Sequence, residues 1–276
     1  MAITAPEFNF IRQLAEQNAG IAIEDGKEYL VINRLEPTAK ECGFDSLTHF
    51  INELKSSKCS PALTNKTIDA LTINETSFYR DGHPFEQLKQ NFLPRLIERN
   101  KGQRSLSIWS AACSTGQEIY SLAILIKEHF PEVENWNIRL LATDISNRVL
   151  NHAKEGIYSS FEINRGLEKP LQEKYFDAHG NSLQLKKSIR NLVEFKTINL
   201  NAHWPDIGSF DLILLRNVMI YFDLESKKVI LGKMKKRLNP NGHLILGSAE
   251  TTYNIDPDWV ASRENNSTSY HIPEKR

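Results

Sequence analysis

Cysteine is scarce in this chain of 276 residues. Cys42, Cys59 and Cys113 form no CxxC pair. Such sparse, odd and unpatterned use excludes a disulfide framework and points to a reducing compartment, so a cytoplasmic protein is expected. The eight histidines form no HxxxH or Cys/His cluster, and no metal is expected. No run approaches the ~18 unbroken apolar residues of a membrane helix. Met1-Ala-Ile-Thr-Ala-Pro-Glu7 also lacks the basic-then-apolar order of a signal peptide. Neither membrane insertion nor a leader is therefore expected. An excess of one charge is missing too, with 34 Lys+Arg against 34 Asp+Glu. That balance argues against an indiscriminate nucleic-acid or membrane-surface binder. There is no internal repeat and no low-complexity tract.

Apolar residues make up 40% and charged residues 25%, which suits a globular chain with a sizeable core. Residues 1 to about 75 read as short helices. Thr4 and Glu7 have capping-box spacing, with Pro6 in the first turn, and Ile11, Leu14 and Ala15 line one face. Tyr29 to Cys42 is a second helical stretch, bent at Pro37 and stopped by Gly43. Asp45 or Ser46 caps a third, where Leu47, Phe50, Ile51 and Leu54 keep helical spacing. A fourth follows Pro61.

From about Ser105 the period changes. Ser105–Ser110, Ile138–Thr143, Val193–Ile198, Phe210–Leu215, His243–Gly247 and Ser269–Ile272 read as strands. Helices lie between them: one after Gly116, one from Ser146 to Gly156, and one from about Leu224 to Leu238. The last is ended by Asn239-Pro240-Asn241-Gly242. Such alternation predicts a mostly parallel sheet covered on both faces. The stretch from about Ile163 to Ile189 fits poorly and is expected to be a small inserted hairpin, with Leu183 to Leu185 as one strand. Charge is unevenly shared. Residues 1–80 hold 8 Lys/Arg and 11 Asp/Glu, a net of −3, and the remainder holds 26 and 23, a net of +3.

An open parallel sheet binds ligands beyond its strand C-termini, near the switch in strand order. Four segments project there. Ala111-Ala-Cys-Ser-Thr-Gly-Gln-Glu118 has one glycine where a dinucleotide fingerprint has three, so it is a poor pyrophosphate cradle. Glu118 could instead receive a cationic group. Asp144 ends the next strand, where it could accept a ribose diol or cap the following helix. Asn199-Leu200 could meet an adenine edge and face, or simply form a turn. Arg216-Asn-Val-Met-Ile-Tyr-Phe222 follows a buried strand. Arg216 there needs a ligand or a structural salt bridge, because a buried unpaired guanidinium is costly. Between the two parts lies the polar run Asn74-Glu-Thr-Ser-Phe-Tyr-Arg-Asp81, from which Arg80 could reach the crevice.

Taken in order, Asn74–Arg80, Trp109–Glu118, Ala142-Thr-Asp-Ile145 and Leu215–Phe222 resemble the chemoreceptor glutamate methyltransferases, the CheR family. The likeness runs over about residues 5–272. It implies an α/β fold: a Rossmann-like class I methyltransferase domain preceded by a small all-α domain. The sheet would be mostly parallel and seven-stranded, with an antiparallel final strand and an inserted β-hairpin. The implied division is an N-terminal helical domain over 1–75 and a linker with a first helix over 76–100. An S-adenosylmethionine-dependent methyltransferase domain would span 101–276, its β-subdomain inserted at about 163–190.

The implied cofactor is S-adenosyl-L-methionine, leaving as S-adenosyl-L-homocysteine. By matching motif positions, Asn74, Thr76 and Arg80 would approach it from the linker, Glu118 would face its amino group, and Asp144 its ribose. Asn199 and Leu200 would border the adenosine, and Arg216 and Asn217 would hold the methionyl end. Tyr221 would lie near the transferable methyl. Arg80 and Tyr221 are the catalytic candidates. The implied partner is the cytoplasmic helical domain of chemoreceptors, whose glutamates are esterified by a monomeric enzyme.

Two departures from the family pattern bear on this. Gly116-Gln-Glu-Ile119 stands where members often read Gly-Glu-Glu-Pro, which leaves the binding role to Glu118 rather than Gln117. Phe176 to Val193 is shorter than in members that dock on a receptor's C-terminal pentapeptide, with Gly180 alone in place of a glycine-rich loop. Tethered docking is therefore expected to be absent or weak. No helical-repeat extension is expected after residue 272. Two alternative functions stay open: another carboxyl, small-molecule or nucleic-acid methyltransferase, and a non-catalytic cofactor-binding regulator.

Overall fold

The computed structural model of the chain describes residues 3–264 and 267–273. The outer limits of the expected domains, at residues 1 and 276, lie outside them.

Four helices make the front. α1 (Ala5–Ala19) begins at a reciprocal capping box. The Thr4 hydroxyl accepts from the Glu7 N–H, and the Glu7 carboxylate accepts from the Thr4 N–H at 2.8 Å. α2 (Glu28–Glu41) carries Pro37 inside its length and is followed by Gly43 at φ +82°. α3 (Leu47–Lys55) is capped by Ser46, not Asp45, and α4 (Pro61–Leu71) by Ser60. Their apolar faces meet in one core around Phe8, Ile11, Leu35, Phe50 and Ile51. Burying side chains of that size contributes about 1.5–3 kcal/mol each, which outweighs the weak propensity of helices this short.

After residues 72–82 come α5 (His83–Gln87), a π-helical turn at Leu88–Phe92, and α6 (Leu93–Asn100). Then the alternation begins: β1 (Ser105–Ala111), α7 (Gln117–His129), β2 (Asn137–Asp144), α8 (Asn147–Glu155). A small unit follows, made of β3 (Ile157–Ser159), α9 (Ser160–Asn164), α10 (Lys169–Tyr175), β4 (Phe176–His179), β5 (Ser182–Leu185) and α11 (Lys187–Arg190). The chain returns to the main sheet with β6 (Val193–Thr197), β7 (Phe210–Leu215), α12 (Leu224–Lys235), β8 (Leu238–Leu246), β9 (Val260–Glu264) and β10 (Ser267–His271).

Seven strands form the main sheet in the order β6-β2-β1-β7-β8-β10-β9. The first five run parallel, and β10 is antiparallel to both of its neighbours. Alternate side chains feed two cores. Ile108, Leu140 and Leu212 pack with α6 and α7 on one face, whereas Trp109, Leu141 and Ile213 pack with α12 on the other. Every residue of β7 is buried, as a central strand covered on both sides requires. The order of strands reverses between β1 and β7, which places the ligand crevice at their carboxyl ends.

Three local expectations change. The insertion is a three-stranded antiparallel sheet, β3-β5-β4, because Ile157–Ser159 pairs with Ser182–Gln184 from before the expected segment. The helix expected to reach Leu238 stops at Lys235, and Asn239-Pro240-Asn241-Gly242 lies within β8 instead of ending a helix. A bulge absorbs it: Phe210 pairs with Leu238 but Leu212 pairs with His243. Its carbonyls find a donor, since Arg99 Nη1 bonds the Pro240 and Asn241 oxygens. The edge strand β9 went unforeseen, its alternation being short and polar.

Candidate functional site

Four strand ends, the linker and the front helices enclose one cavity of about 500 Å³. All ten residues singled out in the sequence line it: Asn74, Thr76, Arg80, Glu118, Asp144, Asn199, Leu200, Arg216, Asn217 and Tyr221.

The loop after β1 supplies the first wall. Ala112, Ser114 and Gly116 all take positive φ, at +59°, +51° and +91°. Such backbone is costly outside glycine and persists only where its surroundings impose it. Here the Ser114 N–H is claimed by Asp144 Oδ2 at 2.9 Å, and the Ser114 hydroxyl by the Asn74 carbonyl at 2.7 Å. At Gly116 a Cβ would stand 2.9 Å from the Ala153 Cβ and 3.1 Å from the Tyr120 ring, so only glycine lets α7 start against α8.

Asp144 is buried at the end of β2. Its Oδ1 accepts from the Ser146 N–H at 3.0 Å. The cap of α8 is Ser146 itself, so Asp144 is left facing the cavity. Burial pushes its pKa above the usual carboxylate value, and the N–H groups of Ser146 and Ser114 pull it partly back.

Arg216 leaves β7 with a side chain only 2% exposed. Its guanidinium bonds Glu118 Oε2 at 2.9 Å, Asp81 Oδ2 at 2.8 Å and the Arg80 carbonyl at 3.1 Å. Structural pairing is thus satisfied, yet the buried Nε has no protein partner. Glu118 also accepts from the Ser110 hydroxyl at 2.8 Å and keeps lone pairs for one more donor. The next residue, Asn217, sits at φ +58°.

Asn199 is more committed than its sequence context implies. Its Nδ2 donates to the Asn18 carbonyl at the end of α1, and its Oδ1 accepts from the Asn201 N–H at 2.9 Å. Leu200 beside it is buried. Asn74 Oδ1 accepts from Arg148 at 3.1 Å. Arg80, half-buried, donates to the Glu75 carbonyl at 2.7 Å. The Glu75 carboxylate is drawn off to Arg165, which lowers its pKa.

Tyr221 closes the circle. Burial raises its phenol pKa above 10 while the charges of Arg80 and Arg34 pull it down, so at neutral pH it is an O–H donor.

Residues 19–31 and 71–75 form the roof, of which sequence reasoning assigned only Asn74 to the site. The Ala22 N–H donates to the Tyr221 carbonyl at 3.0 Å, and Ile21 bridges Phe222. Asp81 and Glu250 were also missed. Asp81 directly follows Arg80 in the polar run and could have been read as its partner in charge. Glu250 is a lone acid in a turn and carries no local signal.

This donor set fits a zwitterionic nucleoside better than a phosphate. Carboxylates line the cavity at Glu118 and Asp144, and the first turn of α7 carries Glu118 where a phosphate would need free N–H groups. The orphaned Arg216 Nε offers a donor beside them.

Comparison with known proteins gives the same reading. Residues 6–72 match the CheR methyltransferase all-alpha domain, and residues 74–267 the CheR methyltransferase SAM-binding domain. Chemotaxis protein methyltransferase 1 of Pseudomonas aeruginosa is 39% identical over 264 residues, covering 94% of each chain. Chemotaxis protein methyltransferase Cher2 of Pseudomonas putida is 38% identical, covering 88% of this chain and 90% of its own. The Vibrio anguillarum chemotaxis protein methyltransferase is 33% identical over 99% of this chain and 98% of its own. The chain accordingly belongs to the CheR methyltransferase family, with an S-adenosylmethionine-binding domain over most of its length.

Proposed function

We propose that the protein transfers methyl groups in chemotaxis to glutamate side chains on the cytoplasmic helices of chemoreceptors, forming methyl esters. The observation that carries this reading is the mouth of the cavity. Arg34, Arg80 and Tyr221 line it together, and two guanidinium groups beside a phenol suit a carboxylate. Of the acids that line it, Glu118 is held by Arg216, Asp144 by backbone N–H groups and Glu75 by Arg165.

S-adenosylmethionine supplies the electrophile, a methyl on a sulfonium. The acceptor needs no general base, since a solvated glutamate with a pKa of about 4.3 is already a carboxylate at pH 7. The protein's task is alignment and exclusion of water. Arg80 orients the acceptor carboxylate without neutralising it, and the Tyr221 O–H hydrogen-bonds it. Asp144 accepts from the ribose, Glu118 from the amino group, and Asn199 and Leu200 border the adenosine. Asn74, Thr76, Arg216 and Asn217 complete the binding set.

In this reading residues 1–75 contact the receptor, 76–100 link the two parts and supply Thr76 and Arg80 to the site, and 101–276 hold most of the cofactor and carry the rest of the chemistry. The enzyme works as a cytoplasmic monomer without a pentapeptide tether. Micromolar binding of a receptor C-terminal pentapeptide would overturn that last point.

Incubation with tritiated methyl donor and receptor-containing membranes tests the whole. Base-labile label on receptors, mapped to glutamates by mass spectrometry, is expected. Labelled nucleic acid, a labelled small product or no transfer would select another methyltransferase or a non-catalytic regulator.

A further inference from the structure

Glu250 lies outside the cavity, in the turn after β8, yet its carboxylate gathers four backbone N–H groups. Oε2 accepts from Asn217 at 2.8 Å and Gly247 at 2.7 Å, and Oε1 from Val218 at 2.8 Å and Met219 at 2.6 Å. Two carboxylate oxygens have about four lone-pair sites, so this acceptor is saturated by main chain alone. Three of the donors are successive residues of the loop that runs from Arg216 to Tyr221. That loop turns through Asn217 at φ +58°, a conformation that aims consecutive N–H groups at one point and suits an anion.

Gly247 completes the arrangement. A Cβ there would stand 2.6 Å from Glu250 Oε2, 2.8 Å from the Asn217 nitrogen and 3.0 Å from Asn217 Nδ2. The far end of the same loop is held separately, by Ala22 on the Tyr221 carbonyl.

We propose that Glu250 is a positioning residue for methyl transfer: it fixes the loop that presents Asn217 to the cofactor and Tyr221 to the acceptor. The role of Tyr221 rests on the function proposed above, whereas the anchoring of the loop does not. The charge matters as well as the shape. In Glu250→Gln one oxygen becomes an NH₂ that faces N–H donors, so at least two of the four bonds are lost with little change of volume.

The test uses the full chain and three variants, Glu250→Gln, Glu250→Asp and Gly247→Ala. Hydrogen exchange is followed by mass spectrometry, methyl-donor affinity by calorimetry, and transfer by single turnover. In Glu250→Gln, protection of residues 217–219 is expected to fall about tenfold or more while β1 and β2 keep theirs. Transfer is expected to slow by about tenfold or more, with a smaller loss of methyl-donor affinity. Glu250→Asp, which keeps the charge, should recover part of both. Gly247→Ala should loosen the same residues with Glu250 intact.

Unchanged exchange at 217–219 in Glu250→Gln overturns the proposal, and so does a uniform loss of protection across the sheet, which would make Glu250 a general stabiliser. Should the wild-type protein esterify no receptor glutamate, the functional reading fails, while exchange and methyl-donor affinity still decide the anchoring role.

Discussion

The floor and the roof of the cavity are built on different principles. The floor consists of strand ends in a sheet buried on both faces, with αL backbone at Ala112, Ser114 and Asn217, an ion-paired Arg216 and a buried Asp144. The roof comes from short helices with their own small core, and it meets the floor through a short set of polar contacts: Asn199 to Asn18, Ala22 to Tyr221, the bridge from Ile21 to Phe222, Ser114 and Arg148 to Asn74, and Asp69 with Ser146. A rigid, strained floor suits the alignment of a cofactor. A roof attached at so few points can meet a protein substrate, and its low contact density places it at the less stable end of the molecule.

The sharpest way to break this contrast is Arg216→Ala. It leaves Glu118 and Asp81 without their guanidinium. Removing one partner of a buried pair costs about 3–5 kcal/mol. Denaturant unfolding should show that loss, and calorimetry should show methyl-donor binding collapsing with it. A stability change below about 1 kcal/mol, the range of exposed ion pairs, would mean the floor is no more committed than the roof.

Next in size are Arg80→Ala and Tyr221→Phe, which lie where the two walls meet. Turnover is expected to fall about 10- to 100-fold for each, with methyl-donor affinity changed only about threefold or less, because the contribution is alignment of the acceptor. Equal losses in both quantities would assign these residues to cofactor binding and move them into the floor.

Asp144 sharpens the comparison through pH. Its pKa is raised by burial, and Asp69 on α4 of the roof pushes it the same way. Asp69 is itself raised by burial, against its bond with Ser146 and the charge of Arg148. A raised carboxylate takes up its proton at higher pH than a free aspartate. Protonated, Asp144 accepts poorly from a ribose diol. Methyl-donor affinity should therefore decline on acidification at pH values above about 3.9, the ordinary aspartate range. Asp144→Asn should abolish that dependence. Asp69→Asn should move it to lower pH, a direct reading of roof acting on floor. The same raised values make folding less favourable as pH rises through them, so the apo protein should gain stability over the window in which it loses affinity.

How legible these walls were in the sequence differs in the same way. The parallel sheet announced itself through apolar runs such as Phe210–Leu215, and α8 through Ser146 and Gly156, because period and caps are local signals. Seven of the ten cavity residues lie at or after strand ends, a position that topology assigns to ligands, whereas Asn74, Thr76 and Arg80 come from the linker. What stayed hidden was non-local. Nothing in Ala112 or Ser114 marks an αL residue, since that conformation is imposed by Asp144 and Asn74 from elsewhere. The bulge that carries Asn239–Gly242 through β8 looks like a helix stop until Arg99 supplies its donors. Glu250 acts 31 to 33 residues away from three of the four groups it holds. The roof over the cavity depends on how two separately cored units dock, and periodicity does not report on docking.

The smallest expected effect tests the independence of the roof. Thr4→Ala removes the hydroxyl of the capping box on α1, far from the cavity, and should cost about 1 kcal/mol, within the usual range for such caps. Glu7, the other half of the box, has its pKa lowered chiefly by the Thr4 side chain, then by the Thr4 backbone. A lowered carboxylate adds stability that is present above its unfolded pKa of about 4.3 and is lost as pH falls through the lower folded value. Thr4→Ala should therefore shrink the acid sensitivity of the front helices while leaving methyl-donor affinity unchanged. Affinity is the discriminating measurement. If it falls along with the stability of α1, the four helices and the sheet form one cooperative unit, and the low contact density between roof and floor does not mark a mechanical boundary.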